Sequence, residues 1–147
     1  MEKGSDAVSL TDYVFRIGLK PESIIACHLD RARYDFKHHL EMAGMGVFLE
    51  YDTIGRPKYH SGDVEVELIL SMVEYGFAVR LLFGLDTTNR RMKSYGGTIG
   101  LDYIKTVFVQ KLFDAGLTEE IIRKFSEFNP QRALSIRETM APEAYAW

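Results

Sequence analysis

Short apolar stretches of this chain end, one after another, in groups of residues able to do chemistry. Residues 23–27 run into His28, Asp30 and Arg31. Residues 47–49 run into Glu50, Asp52, Arg56, Lys58, Tyr59 and His60. Residues 79–85 lead to Asp86, Thr87, Thr88 and Arg90. An imidazole directly after a buried strand suits a metal ligand, and His28 holds that position. The other reading of His28 is a strand-end histidine hydrogen-bonded to a loop. Asp86 suits both metal ligation and proton acceptance, or else a helix cap or turn. Arg56, Lys58, Arg90, Arg91 and Lys93 offer a phosphate or carboxylate a cationic seat, or form a solvated basic loop. Gly96, Gly97 and Gly100 precede a helix and could present backbone N–H groups to an anion. No Walker or Rossmann motif accompanies them. His38 and His39 are adjacent in a helix and face different ways, which suits packing or surface roles. His60, beside Lys58, is ambiguous. Cys27 reads as a small core residue, not a nucleophile.

The elements that must position these groups alternate. Helical periodicity runs over residues 6–17, 33–45, 64–75, 101–115 and 119–128. Thr118 reads as an N-cap. Asn129-Pro130 has the form of a cap followed by proline at the first helical position. The apolar stretches between the first helices read as strands. Strands alternating with helices predict a parallel sheet with crossover helices, an α/β fold. Such a sheet gathers functional residues at the C-terminal ends of its strands. All the strands are apolar on both alternations, so they expect cover on both faces. A closed barrel needs eight strands and about 250 residues, so this chain is expected to be one piece of a larger architecture or to be covered by a partner.

Composition narrows the classes. The 147 residues are 46% hydrophobic and 27% charged, with 18 basic and 21 acidic side chains. This is the balance of a single globular domain, and the net charge of −3 argues against a nucleic-acid partner. No apolar run reaches the roughly 20 residues of a membrane span. One cysteine permits no internal disulfide, and the first residues lack an apolar signal core. The expected setting is cytoplasmic, with residues 1–147 as one unit and a frayed tail at 142–147.

The pieces Cys27-His28-Leu29-Asp30-Arg31, Tyr51-Asp52-Thr53-Ile54-Gly55-Arg56-Pro57-Lys58-Tyr59, Gly84-Leu85-Asp86-Thr87-Thr88, Ser94-Tyr95-Gly96-Gly97 with Gly100-Leu101, and Asn129-Pro130 occur in order over most of the chain. Together they resemble the C-terminal half of the phosphotriesterase family of metal-dependent hydrolases, closer to its lactonase-like and homology proteins than to its paraoxon hydrolases. The resemblance implies a partial (β/α)8 TIM barrel, approximately strands six to eight with their helices. It implies two divalent metals, usually zinc, in a complete barrel. His28 then matches a strand-six metal ligand. Asp86 matches a strand-eight ligand that also accepts a proton as metal-activated hydroxide attacks an ester, lactone or phosphotriester. Arg31 matches a residue near the substrate. The family's other ligands have no match here. The opening Met1-Glu2-Lys3-Gly4 resembles the segment that follows the strand-five histidine, so that histidine is expected just before Met1. Arg56, Lys58, Tyr59 and Arg90 complete the expected substrate-binding set for an anionic lactone such as a sugar-lactone phosphate. The competing expectations are a non-catalytic remnant and a half-barrel that self-associates into a homo-oligomer through its open side.

Overall fold

The computed structural model describes residues 4–135, with side chains from residue 7 onward. The expected frayed tail and the first three residues lie outside the described residues. Helix α1 (Gly4–Arg16) leads to strand β1 (Ile25–Ala26). Helix α2 (Phe36–Met45) then returns the chain to β2 (Phe48–Tyr51), and α3 (Gly62–Glu74) returns it to β3 (Leu81–Phe83). The sheet is parallel, in the order β1-β2-β3. Ile25 lies opposite Phe48 and Leu49 opposite Leu81. Every strand therefore exits at the same end, and the residues after each strand share one rim.

The strands are shorter than the apolar runs suggested. Pro21–Ser23 and Ala78–Arg80 form single 3-10 turns instead of extending β1 and β3. Proline supplies no amide for a ladder. Strand β2, paired on both edges, is the centre of the core. Phe48, Leu49 and Tyr51 on it are fully buried, with Ile69, Met72, Leu81 and Leu112 packed around. Strand β1 is only half-buried. A cavity of about 330 Å³ runs beside it, lined by Leu10, Val14, Ile25, Ala26 and Met42 among others. The cover expected on both faces of every strand is thus present for β2 and incomplete for β1. That is the open side anticipated for a partial barrel.

Caps place the helices. Ser61 Oγ accepts from Val64 N at 3.3 Å and starts α3. Thr118 Oγ1 accepts from Ile121 N at 3.4 Å and starts α5 (Glu119–Arg123), as its type and position suggested. Gly46 closes α2 at φ +96°, a conformation that costs an L side chain 1–2 kcal/mol or so. The segment around residues 101–115 narrows to a widened π turn at Ile104–Phe108 followed by α4 (Val109–Asp114).

The cap at Asn129 is corrected. Asn129 is helical at φ −68°, ψ −46°, and the chain passes through it into α6 (Asn129–Leu134). Its Nδ2 donates instead to Ala78 O and Leu81 O, both at 2.8 Å. These carbonyls flank the entry to β3, and a buried carbonyl left without a donor is costly. The asparagine is 1% exposed; it anchors the last helices to the sheet and caps nothing.

Candidate functional site

The rim begins with His28, two residues past the end of β1. Its backbone is left-handed, φ 62° and ψ 22°. Asp86, after β3, also has positive φ, 38°. Among the described residues these are the two non-glycine positions with positive φ. Such conformations are uncommon for side chains with a Cβ and gather where the surroundings hold them for a purpose. His28 Nδ1 lies 2.7 Å from Asp52 Oδ1 and 2.6 Å from Oδ2. Asp52 comes from the end of β2 and is 5% exposed. Burial raises its carboxyl pKa, against the His28 hydrogen bond that lowers it. A carboxylate on one ring nitrogen fixes the tautomer and directs the other nitrogen outward, the arrangement that metal-ligating histidines use. The His28 ring is thus held as a single metal ligand would be.

Asp86 gathers the cations. Arg31 Nη2 meets its Oδ2 at 2.8 Å, and Arg56 Nη1 meets the same oxygen. Both guanidiniums lie over the Tyr59 ring, Arg31 at 4.4 Å and Arg56 at 5.4 Å from its centroid. Lys58 Nζ stands 5.6 Å from that centroid. The structure thus brings Arg31, Arg56, Tyr59 and Asp86 into one cluster, with Lys58 at its edge. Arg90 is exposed outside it. His28 and Asp86 share the rim, but the His28 ring pairs with Asp52 and not with Asp86. Gly84 allows the close approach of the two loops, since a Cβ there would fall 2.8 Å from Asp52 Cβ.

Arg91 is the cation that the sequence left undistinguished from its neighbours. It donates to Leu85 O, to Asp86 O at 3.1 Å and to Gly55 O at 3.2 Å, tying the loop after β2 to the loop after β3. Burial, then Arg56, lowers its pKa. It holds the loops and does not face a ligand.

Below the rim lies a buried polar group that sequence reasoning missed. Asp30, from the turn after β1, accepts from Thr53 N at 2.6 Å and from Thr53 Oγ1. His60 Nε2 stands 2.9 Å from Glu65 Oε2, 3.0 Å from Thr53 Oγ1 and 3.8 Å from Asp30 Oδ2. The side chains of Asp30 and Glu65 are fully buried and that of His60 is 3% exposed. Asp30 and then Glu65 raise the His60 pKa to about 10, against the opposing effect of burial. Burial raises the Asp30 carboxyl, yet the His60 and Thr53 bonds outweigh it and the net shift is downward. Glu65 is raised by burial, partly offset by His60. Nearby, His39 Nδ1 takes the Tyr51 hydroxyl at 2.6 Å. Burial lowers the His39 pKa, so it is a neutral packing residue. His38 instead pairs with Asp35 on the surface side.

Two further expectations change. The Gly96 and Gly97 amides donate to Lys93 O and Met92 O, at 3.1 and 2.8 Å, so they close their own turn and are spent. Cys27 is exposed at the rim and not packed in the core. Its thiol is pushed up to about 12 by desolvation, then by Glu50 and Asp52. It stays protonated at neutral pH and so is a poor nucleophile, as expected.

No helix of the described residues is long and apolar enough to cross a membrane. The sequence profile of the phosphotriesterase family matches residues 17–134. The N-acetyltaurine hydrolase of Rattus norvegicus is 32% identical over 124 residues, which is 77% of this chain and 35% of that protein. The lactonase of Listeria monocytogenes superposes with a TM-score of 0.86 at 28% identity, covering 92% of this chain and 43% of its own. The phosphotriesterase homology protein of Escherichia coli has the same fold, with a TM-score of 0.82 over 88% of this chain and 44% of its own, at 21% identity. The fold is a partial (β/α)8 barrel. The chain spans 35–37% of the length of the curated relatives it matches.

Proposed function

Because the chain belongs to the phosphotriesterase family, we propose that residues 1–147 form one sector of a metal-dependent hydrolase acting on the ester bond of a small anionic substrate, a lactone or a phosphotriester. The observation that carries this reading is the rim. His28 and Asp86 leave the same end of a parallel sheet in strained left-handed conformations, and Asp52 aims the His28 ring. His28 and Asp86 would hold metal, zinc by the family's habit, together with ligands that this chain does not match. A bound divalent metal lowers the pKa of water and polarises a carbonyl or phosphoryl oxygen.

The chain's own side chains supply the rest. Asp52 keeps His28 in one tautomer. Asp86 accepts the proton released during attack. Arg31 and Arg56, stacked on Tyr59, present two guanidiniums that a carboxylate, phosphate or sulfonate can engage in place of the Asp86 oxygen they now share. Lys58 adds charge at the edge, and Arg90 lies on the solvent side. N-acetyltaurine, the substrate in the rat relative's name, ends in a sulfonate, which agrees with an anion seat. A sugar-lactone phosphate is the specific substrate this arrangement favours.

The test uses a polypeptide that supplies the complete barrel, loaded with zinc. A phosphorylated lactone is compared with the plain one by kcat/KM. We expect a preference for the phosphorylated lactone that Arg56→Ala abolishes, and loss of turnover in Asp86→Asn. Equal rates on both lactones would remove the anion seat from the reading.

The uncovered flank favours a second reading, a half-barrel that self-associates. Leu10 and Tyr13 on α1 and Ile17 just after it are 48%, 61% and 61% exposed, and Leu10 lines the cavity beside the half-buried β1. Sedimentation of the chain decides it: a concentration-independent monomer excludes this second reading.

A further inference from the structure

We propose that Asp30, His60 and Glu65 form a divalent-cation site, buried beneath the rim and independent of His28 and Asp86, with zinc as its natural class of ion. The proposal does not rest on the hydrolase reading.

The geometry begins with His60. Its Nδ1 lies 3.2 Å from Ser61 O, and a carbonyl can only accept. Nδ1 therefore carries a proton, and Nε2 faces Glu65 Oε2, Thr53 Oγ1 and Asp30 Oδ2. The one Thr53 hydroxyl hydrogen goes to Asp30, so Nε2 donates to Thr53 until a bound ion takes the place of its proton. One ligand atom from each of Asp30, His60 and Glu65 falls within 4.8 Å of the others. That span suits atoms bound at about 2.0–2.2 Å to one zinc ion, after a small contraction. A backbone carbonyl on the far ring nitrogen is the usual outer support of a metal-bound histidine.

The hydrogen-bond account is incomplete without an ion. Asp30 Oδ1 and both Glu65 oxygens are buried and find no hydrogen-bond donor among the described residues. His60 Nε2 approaches Glu65 Oε2 to 2.9 Å, a charge contact when the ring is protonated. A proton on Nε2 would bring one positive charge to two buried carboxylates and leave Asp30 Oδ1 bare. A divalent ion among the three balances both carboxylates with neutral imidazole. A mixed set of imidazole and carboxylate ligands suits zinc among first-row metals. The ion would pin three separate segments: the turn after β1, the loop after β2 and the first turn of α3.

The His28→Ala/Asp86→Ala chain, stripped with chelator, is titrated with zinc and then passed through gel filtration. About one zinc per chain should remain, in keeping with a single three-ligand site. X-ray absorption should show nitrogen and oxygen neighbours and no sulfur. Adding Glu65→Gln, nearly isosteric and checked by circular dichroism, should weaken zinc by at least about 100-fold. Adding His60→Ala should do the same. The proposal is overturned if the His28→Ala/Asp86→Ala chain retains no zinc, or if Glu65→Gln leaves its affinity unchanged. A proton then suffices to hold the cluster. Failure of the hydrolase reading looks different: the complete barrel would lose no zinc on His28→Ala/Asp86→Ala.

Discussion

The rim cluster around Asp86 and the buried cluster around His60 use the same materials, carboxylates facing cations, at different depths. At the rim Asp86 and its arginine partners keep 18–32% of their side-chain surface in water. Water screens that cluster, its pairs can exchange partners, and an incoming anion can compete for them. In the buried cluster His60 is 3% exposed and its carboxylates not at all. No water is at hand to replace a lost partner there, so the groups must remain satisfied for the chain to fold. Depth, more than residue type, separates a cluster whose pairs can exchange with an incoming anion from one that holds the fold together.

The largest expected effect follows from removing the buried cation. In chelator-treated protein, His60→Ala leaves two buried carboxylates without a counter-charge, which costs about 3–5 kcal/mol of stability. Urea unfolding measures it, and a cost below about 1 kcal/mol, the scale of an exposed pair, would erase the contrast between the clusters. The pH response comes next and uses chelator-treated protein. The folded His60 pKa of about 10 lies above its ordinary 6.5. Its contribution is therefore complete below about pH 6.5 and is lost as pH rises through about 10. Tm should fall over that window in the unaltered chain, and the fall should be absent from His60→Ala. Asp30 runs in the opposite direction. Its lowered pKa gives a contribution present at neutral pH and lost as the solution becomes acid.

A smaller effect is expected where the rim is supported from beneath. Asp52→Asn should lower the metal affinity of the complete barrel by about 10–100-fold, the range for a support behind a ligand. Isothermal titration with zinc reads this, and an unchanged affinity would mean that Asp52 does not orient His28. The smallest stability change belongs to Arg31→Ala, about 0–1 kcal/mol for a partly exposed pair. The same substitution should raise KM for the phosphorylated lactone while sparing the plain one. A loss above about 2 kcal/mol would make Arg31 a structural residue of the same kind as His60.

Much of the fold was legible in the chain's own order. Apolar runs alternating with helical periodicity gave the parallel α/β architecture, and glycines and N-cap residues marked most boundaries. Thr118 behaves as a local cap because its bond partner lies only three residues away. Asn129 defeated the same logic. Its partners, Ala78 O and Leu81 O, lie 51 and 48 residues away, and nothing local indicates that buried carbonyls there need a donor. The rim residues were legible as a set, since a parallel sheet places every strand exit on one side. Which of them touch was not: Arg31, Arg56 and Tyr59 meet through loop geometry, while Arg90, equal in charge, points to solvent. Asp30 and Glu65 could not be connected to His60, because Asp30 reaches Thr53 only through the β1-β2 pairing.

From its order of residues, then, this chain determines strands, helices and the inventory of groups at one rim, because burial and capping act over a few neighbouring positions. Tertiary packing decided the pairings, the left-handed turns at His28 and Asp86, and the depth of each charge. A carboxylate's energy depends on its distance from water and from cations contributed by remote segments, and no stretch of neighbouring residues encodes that distance.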